Sequence, residues 1–67
     1  MCQMRIVLKN KGGEEVVLEN AARLKVTADG IEVNAMFEAP KLIAGAVISG
    51  IDFMENEVTL VKPGGKG

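Results

Sequence analysis

Along most of this 67-residue chain, apolar and polar residues alternate with a period of two, and Gly, Asn, Asp or Pro breaks the alternation at short intervals. A period of two sends successive side chains to opposite faces of an extended strand. Short alternating runs bounded by turn residues specify half-buried strands joined by tight turns, which makes an all-β barrel or small sandwich the expected architecture.

The runs can be read one by one. In QMRIVLK, Met4, Ile6 and Leu8 share a face, and Arg5, Val7 and Lys9 share the other. NKGG at residues 10–13 supplies glycines for a hairpin turn, and EEVVLEN returns with Val16 and Leu18 inward. ARLKVTADGIEVNAMF is the clearest hairpin: Leu24 and Val26 alternate on the way out, and Ile31, Val33, Ala35 and Phe37 on the way back. Asp29-Gly30 between them matches a type I′ turn. EAPK reads as a loop, since Pro40 restricts Ala39 to extended backbone. LIAGAVISGIDFM has small residues that would suit a helix, but its Val, Ile and two glycines favour a bent strand that curls at Gly45 and Gly50. After a turn at residues 55–56, EVTLVK closes the set with Val58 and Leu60 inward. The expected fold is a small SH3-like barrel of five to six short antiparallel strands over residues 1–62, with residues 63–67, PGGKG, as a flexible tail.

A single domain of this size buries a modest fraction of its surface and is marginal alone. One cysteine excludes an intrachain disulfide, leaving a metal or a partner subunit as the remaining stabilisers, and fits a reducing cytoplasm. Val7, Val17, Met36, Phe53, Met54 and Val61 fall off the inferred core face or at strand ends, and together they predict a homodimer.

The net charge of −1 and two aromatic residues argue against a nucleic-acid surface. The longest near-apolar stretch is too short and too interrupted to span a bilayer, and no signal peptide is evident. Without histidine there is no Ser-His or Cys-His catalysis, and Ser49 has no base partner, so an enzyme is not expected.

Cys2 is the residue with chemistry to offer. If Met1 is removed, the amine, Cα, Cβ and sulfur of Cys2 close a five-membered chelate ring on a metal. If Met1 stays, its amine, the Cys2 amide and the Cys2 thiolate form two fused rings, and the backbone amide of Gln3 is a further candidate nitrogen. Nitrogen and thiolate together favour square-planar Ni(II) or Cu(II). A two-fold dimer that brings two Cys2 residues together would complete four-coordination without histidine. The competing reading is a small buried or frayed thiol with no ligand role.

The MC start running into QMRIVLKN, the DG hairpin followed by IEVNAMF, and the late segment AGAVISGIDFMENEVTLV together resemble the CooT family of small nickel-binding proteins. The resemblance covers residues 1–62. It implies an SH3-like barrel that dimerises, binds Ni(II) through Cys2 and serves the maturation of carbon monoxide dehydrogenase as a nickel store or chaperone, with a nickel enzyme as partner. A second resemblance, of GAVISGIDFMENEVTL to the first motif of Sm-like RNA-binding proteins, rests on Gly45, Asp52, Met54 and Asn56. Here Glu55 separates the Met and Asn that the motif pairs, and the chain is too short for the motif's downstream partner. An RNA-binding barrel and a structural dimer with inert Cys2 are therefore the alternatives. The GGKG segment lacks the spacing of a phosphate loop. The pairs Glu14-Glu15 and Asp52 with Glu55 read as solvated turn acids, and the methionines as packing residues.

Overall fold

The structure, a computed structural model, describes residues 3–63. Its strands are β1 (Met4–Asn10), β2 (Gly13–Thr27), β3 (Gly30–Ala35), β4 (Lys41–Ala44), β5 (Val47–Asp52) and β6 (Glu57–Val61). They form one sheet in the order β4-β3-β2-β1-β6-β5. The all-β fold is as expected. All ladders are antiparallel except β1 with β6, which run parallel.

Strands β4 and β5 are the two ends of that order, yet only Gly45 and Ala46 separate them in the chain. Two residues cannot cross a flat six-stranded sheet, so the sheet must curl until its two edge strands approach each other at that corner, a rolled barrel whose edge strands do not pair with each other. Gly45, at φ 74°, makes the corner; its amide donates to the Asp29 carbonyl at 2.9 Å, and the Ala46 amide donates to the Ile43 carbonyl at 3.4 Å. The single bent strand expected over this region is therefore two strands. Conversely, the runs read as EEVVLEN and ARLKVT are one 15-residue strand, β2. No Gly or Pro lies between them, so the chain bends instead of turning. Its first half pairs with β1 and its second half with β3, with register shifts near the bend. Buried Ala21 and Ala35 face each other there, small enough to let the strands crowd together.

The bend also relocates one side chain. Ile6 pairs with Leu18 but Val7 with Val16, so one residue in β1 is matched by two in β2, and Val17 is the extra residue of a bulge. A bulge shifts the inside–outside alternation by one, which puts Val16 on the outer face rather than inward. Val7 lies beside it on that face between β2 and β6, yet is only 2% exposed, so it is not surplus surface as the alternation suggested.

The core draws on every strand except β5: Ile6 and Leu8, Ala21, Ile31 and Val33, Ile43, and Val58 and Leu60, joined by Ala46 and flanked by Met4, Leu24 and Ile48. Leu60 is fully buried. Leu60→Ala should cost about 2–5 kcal/mol, read as a lower urea midpoint with an unchanged slope. A loss under about 1 kcal/mol would contradict this packing.

The β1–β2 and β2–β3 turns use one scheme. Asn10 pairs with Gly13 and Thr27 with Gly30, each closing two residues. Asn10 Oδ1 accepts the Gly12 amide at 3.0 Å. The Thr27 hydroxyl accepts the Asp29 and Gly30 amides, each at 3.2 Å, and donates to the Gly30 carbonyl at 3.0 Å. Ala28 and Asp29 are the central residues and neither has positive φ, so the turn is not the type I′ expected of Asp29-Gly30. Glycine is needed one position later, at Gly30, whose φ is 150°.

Candidate functional site

Strand register determines what surrounds the start of β1. Met4 at the start of β1 pairs with Ala21, and Ala21 pairs with Ala35 at the end of β3. On the other side Arg5 pairs with Glu57 at the start of β6, and Glu57 pairs with Asp52 at the end of β5. The N-terminal segment, the Met36–Pro40 loop and the Phe53–Asn56 turn thus share one end of the barrel. Gln3 is exposed and outside any strand. Met1 and Cys2, the principal predicted ligands, lie outside the described residues. Two residue steps separate Cys2 from Met4, a reach of about 7 Å at most.

That end carries a concentration of exposed apolar side chains. Phe37 is 97% exposed, Met54 92%, Phe53 80% and Met36 56%. Met36, Phe53 and Met54 were expected on the surface, but Phe37 was expected inward. β3 stops at Ala35, and a turn closed by the Glu38 amide donating to the Ala35 carbonyl at 3.2 Å puts Phe37 at φ 65°. A left-handed phenylalanine costs about 1–2 kcal/mol, and an apolar ring held outward at that cost is a feature associated with functional surfaces. Strict alternation concealed it; the neighbouring EAPK loop was the available signal that the strand had ended.

The Phe53–Asn56 turn is built by polar groups. Asp52 Oδ1 accepts the Met54 and Glu55 amides, each at 3.0 Å. Asn56 has φ 54°, and its carbonyl accepts the Arg5 amide at 2.8 Å. Asp52 was read as a solvated turn acid; its carboxylate caps the turn instead. Among the described residues, no three His, Cys, Asp or Glu side chains converge in a way that could hold a metal.

An RNA-binding surface would have to gather Arg5, Lys9, Lys11, Arg23 and Lys25 on one side, and among the described residues acids interrupt that set. Arg5 lies opposite Glu57, Lys9 opposite Glu14, Lys25 opposite Glu32 and Arg23 opposite Asn34. Lys11 lies in the turn at the far end of the barrel, away from Arg5. A groove at that far end, bordered by Val26, Asp29, Ile31, Gly45, Val47 and Ile48, lies away from the start of β1.

The family model described as CO dehydrogenase accessory protein CooT matches residues 1–61, a span that includes Met1-Cys2 and every strand. The chain belongs to the CooT family. Among solved structures, a crystal structure assigned to CooT from Carboxydothermus hydrogenoformans superimposes with a TM-score of 0.79 at 24% identity, covering 91% of this chain and 97% of that one. At that identity the likeness establishes the shared CooT fold. No curated protein matches the chain. The sequence resemblance to CooT is thus upheld in family and in architecture.

Proposed function

We propose that this protein is a non-catalytic nickel carrier for the maturation of a nickel enzyme such as carbon monoxide dehydrogenase. It binds Ni(II) at its N-terminus and works as a cytoplasmic homodimer. The observation that carries the reading is the family match extending to residue 1, since it takes in the Met1-Cys2 pair whose chelate chemistry suits Ni(II). Cys2 supplies the thiolate, and the terminal amine or the first amides, those of Cys2 and Gln3, supply nitrogen. Nickel is cargo here, and a site at a chain terminus suits a metal that must be handed on.

The barrel supports the dimeric form of the site. The Cys2 amide, the Cys2 thiolate and the Gln3 amide all branch from one Cα and cannot lie in one square plane, so a single chain leaves a corner open, whereas two N-termini provide two sulfurs and two or more nitrogens. For two N-termini to share a metal, the two barrels must meet at the end from which those termini leave. Met36, Phe37, Phe53 and Met54 crowd that same end and would lose solvent in such a pairing. Metal site and apolar surface then call for the same contact.

Native mass spectrometry of protein with an unextended N-terminus tests both parts. The expected result is a dimer that takes up one Ni(II), with a thiolate-to-metal band in the ultraviolet. Phe53→Ser with Phe37→Ser should weaken the dimer at least tenfold while leaving the monomer folded, because both rings are exposed in the isolated barrel. A dimer unaffected by both changes would move the interface elsewhere, and binding of one nickel by each monomer would exclude the shared site.

A further inference from the structure

We infer that two copies of the chain exchange Phe37 rings, each ring entering a crevice between β1, β2 and β6 of the other copy; the inference rests on the dimeric reading above and names its contact. Phe37 is 97% exposed, so it does not reach into its own barrel. The Glu38 amide bonded to the Ala35 carbonyl holds it outward at φ 65°. A ring kept outside in a conformation that L-residues avoid is a rigid anchor, and burial in a partner's pocket is the gain that offsets its strain.

The crevice has a volume of about 110 Å³, opens to solvent on one side, and is bordered by Ile6, Ala21, Ala22, Leu24 and Val58. Ile6, Ala21 and Val58 belong to the core and Leu24 packs against it, so the lining is apolar and fixed. Alanines at positions 21 and 22 leave space that longer side chains would fill. A closed apolar cavity of about 150 Å³ admits a whole benzene ring, so an open crevice of this size accepts most of a phenyl ring. Its position also fits. Ala21 pairs with Met4 at the start of β1 and with Ala35, two residues before Phe37, so ring and crevice share one end of the barrel. Charge points to the same occupant. Arg23 borders the crevice opposite Asn34 rather than an acid, and Glu38 follows Phe37, so an inserted ring brings a carboxylate toward a guanidinium. Each copy carries both ring and crevice, and a two-fold axis therefore makes two identical joints.

Sedimentation velocity of the full chain with its native N-terminus, with and without Ni(II), tests the exchange. Phe37→Gly removes the ring and should weaken the dimer at least about tenfold. Glycine takes a positive φ without strain, so the fold is preserved. Ala22→Leu extends a side chain into the crevice from an exposed position and should weaken the dimer by a similar factor. An equal mixture of the two variants is decisive. Phe37→Gly keeps its crevice and Ala22→Leu keeps its ring, so a mixed dimer regains one joint where each variant alone has none. Native mass spectrometry should therefore count more heterodimer than both homodimers together. Statistical pairing, or dimerisation of either variant as tight as wild type, overturns the exchange while the dimeric reading stands. A wild-type chain that stays monomeric with and without Ni(II) overturns that reading, and this inference with it.

Discussion

Gly30→Ala should leave the chain largely unfolded at 25 °C. Gly30 pairs with Ala44 in the β3–β4 ladder, where the chain is about to turn into β5. A Cβ at this position would overlap the Ile43 carbonyl oxygen and sit 2.9 Å from both Ala44 Cα and Gly45 N. All three are backbone atoms, so no side chain can swing aside to make room. The φ of 150° adds a conformation that L-residues rarely adopt. Backbone strain of about 1–3 kcal/mol and overpacking of about 1–3 kcal/mol together approach the whole stability of a small domain, commonly about 5 kcal/mol or little more. Gly45→Ala is the natural comparison. At φ 74° and with nothing within 4 Å of an added Cβ, it carries only the left-handed cost, about 1–2 kcal/mol. Urea titration followed by circular dichroism should rank the two clearly. A Gly30→Ala protein as stable as Gly45→Ala would mean that β3 and the β4–β5 corner are not in this close contact.

Cys2→Ser should remove nickel binding without altering the fold. Serine preserves size and hydrogen bonding but offers an alcohol that does not ionise near neutrality in place of a thiol with a usual pKa of about 8.5. The thiolate-to-metal absorption band should vanish, and affinity should fall at least a hundredfold. The melting temperature of the metal-free protein should stay within a few degrees of wild type. The same chemistry sets the pH dependence. Below the thiol and α-amine pKa values, each thiolate and each amine or amide nitrogen recruited displaces one proton, so affinity drops about tenfold per pH unit for each such donor. A site shared by two Cys2 thiolates and two terminal nitrogens should therefore lose about ten-thousandfold between pH 7 and pH 6, and a site of one thiolate and one nitrogen about a hundredfold. The slope counts the protons displaced independently of mass spectrometry. Undiminished nickel binding by Cys2→Ser would end the N-terminal reading.

The candidate site was legible in part. The proposed chelate at Met1-Cys2 comes from the sequence, because chelation by amine and thiol depends on covalent neighbours rather than on folding. What stands around the terminus could not. Phe37 looked like the last inward residue of a strand, since alternation continues through it. Only the Ala35–Glu38 turn takes it out of register. Asp52 and Asn56 looked like ordinary turn residues, and the bond of the Arg5 amide to the Asn56 carbonyl joins segments far apart in sequence.

The fold divides in the same way. Periodicity identified the core residues Ile6, Leu8, Ile31, Val33, Val58 and Leu60, because inside–outside alternation is a local property of a strand. It misplaced Val16, because a bulge is recognised only when two strands are paired. It also divided the strands differently, separating β2 into two and joining β4 to β5. From the sequence alone came an all-β chain, most of its buried face, and the proposal of a thiol and amine chelate at Met1-Cys2. The tertiary structure decided the closing of the sheet at Gly45-Ala46, the parallel pairing of β1 with β6, and the meeting of Met36, Phe37, Phe53 and Met54 around the root of the N-terminal arm. Those features depend on register between strands distant in the chain, and register is set by the whole set of pairings rather than by any one segment.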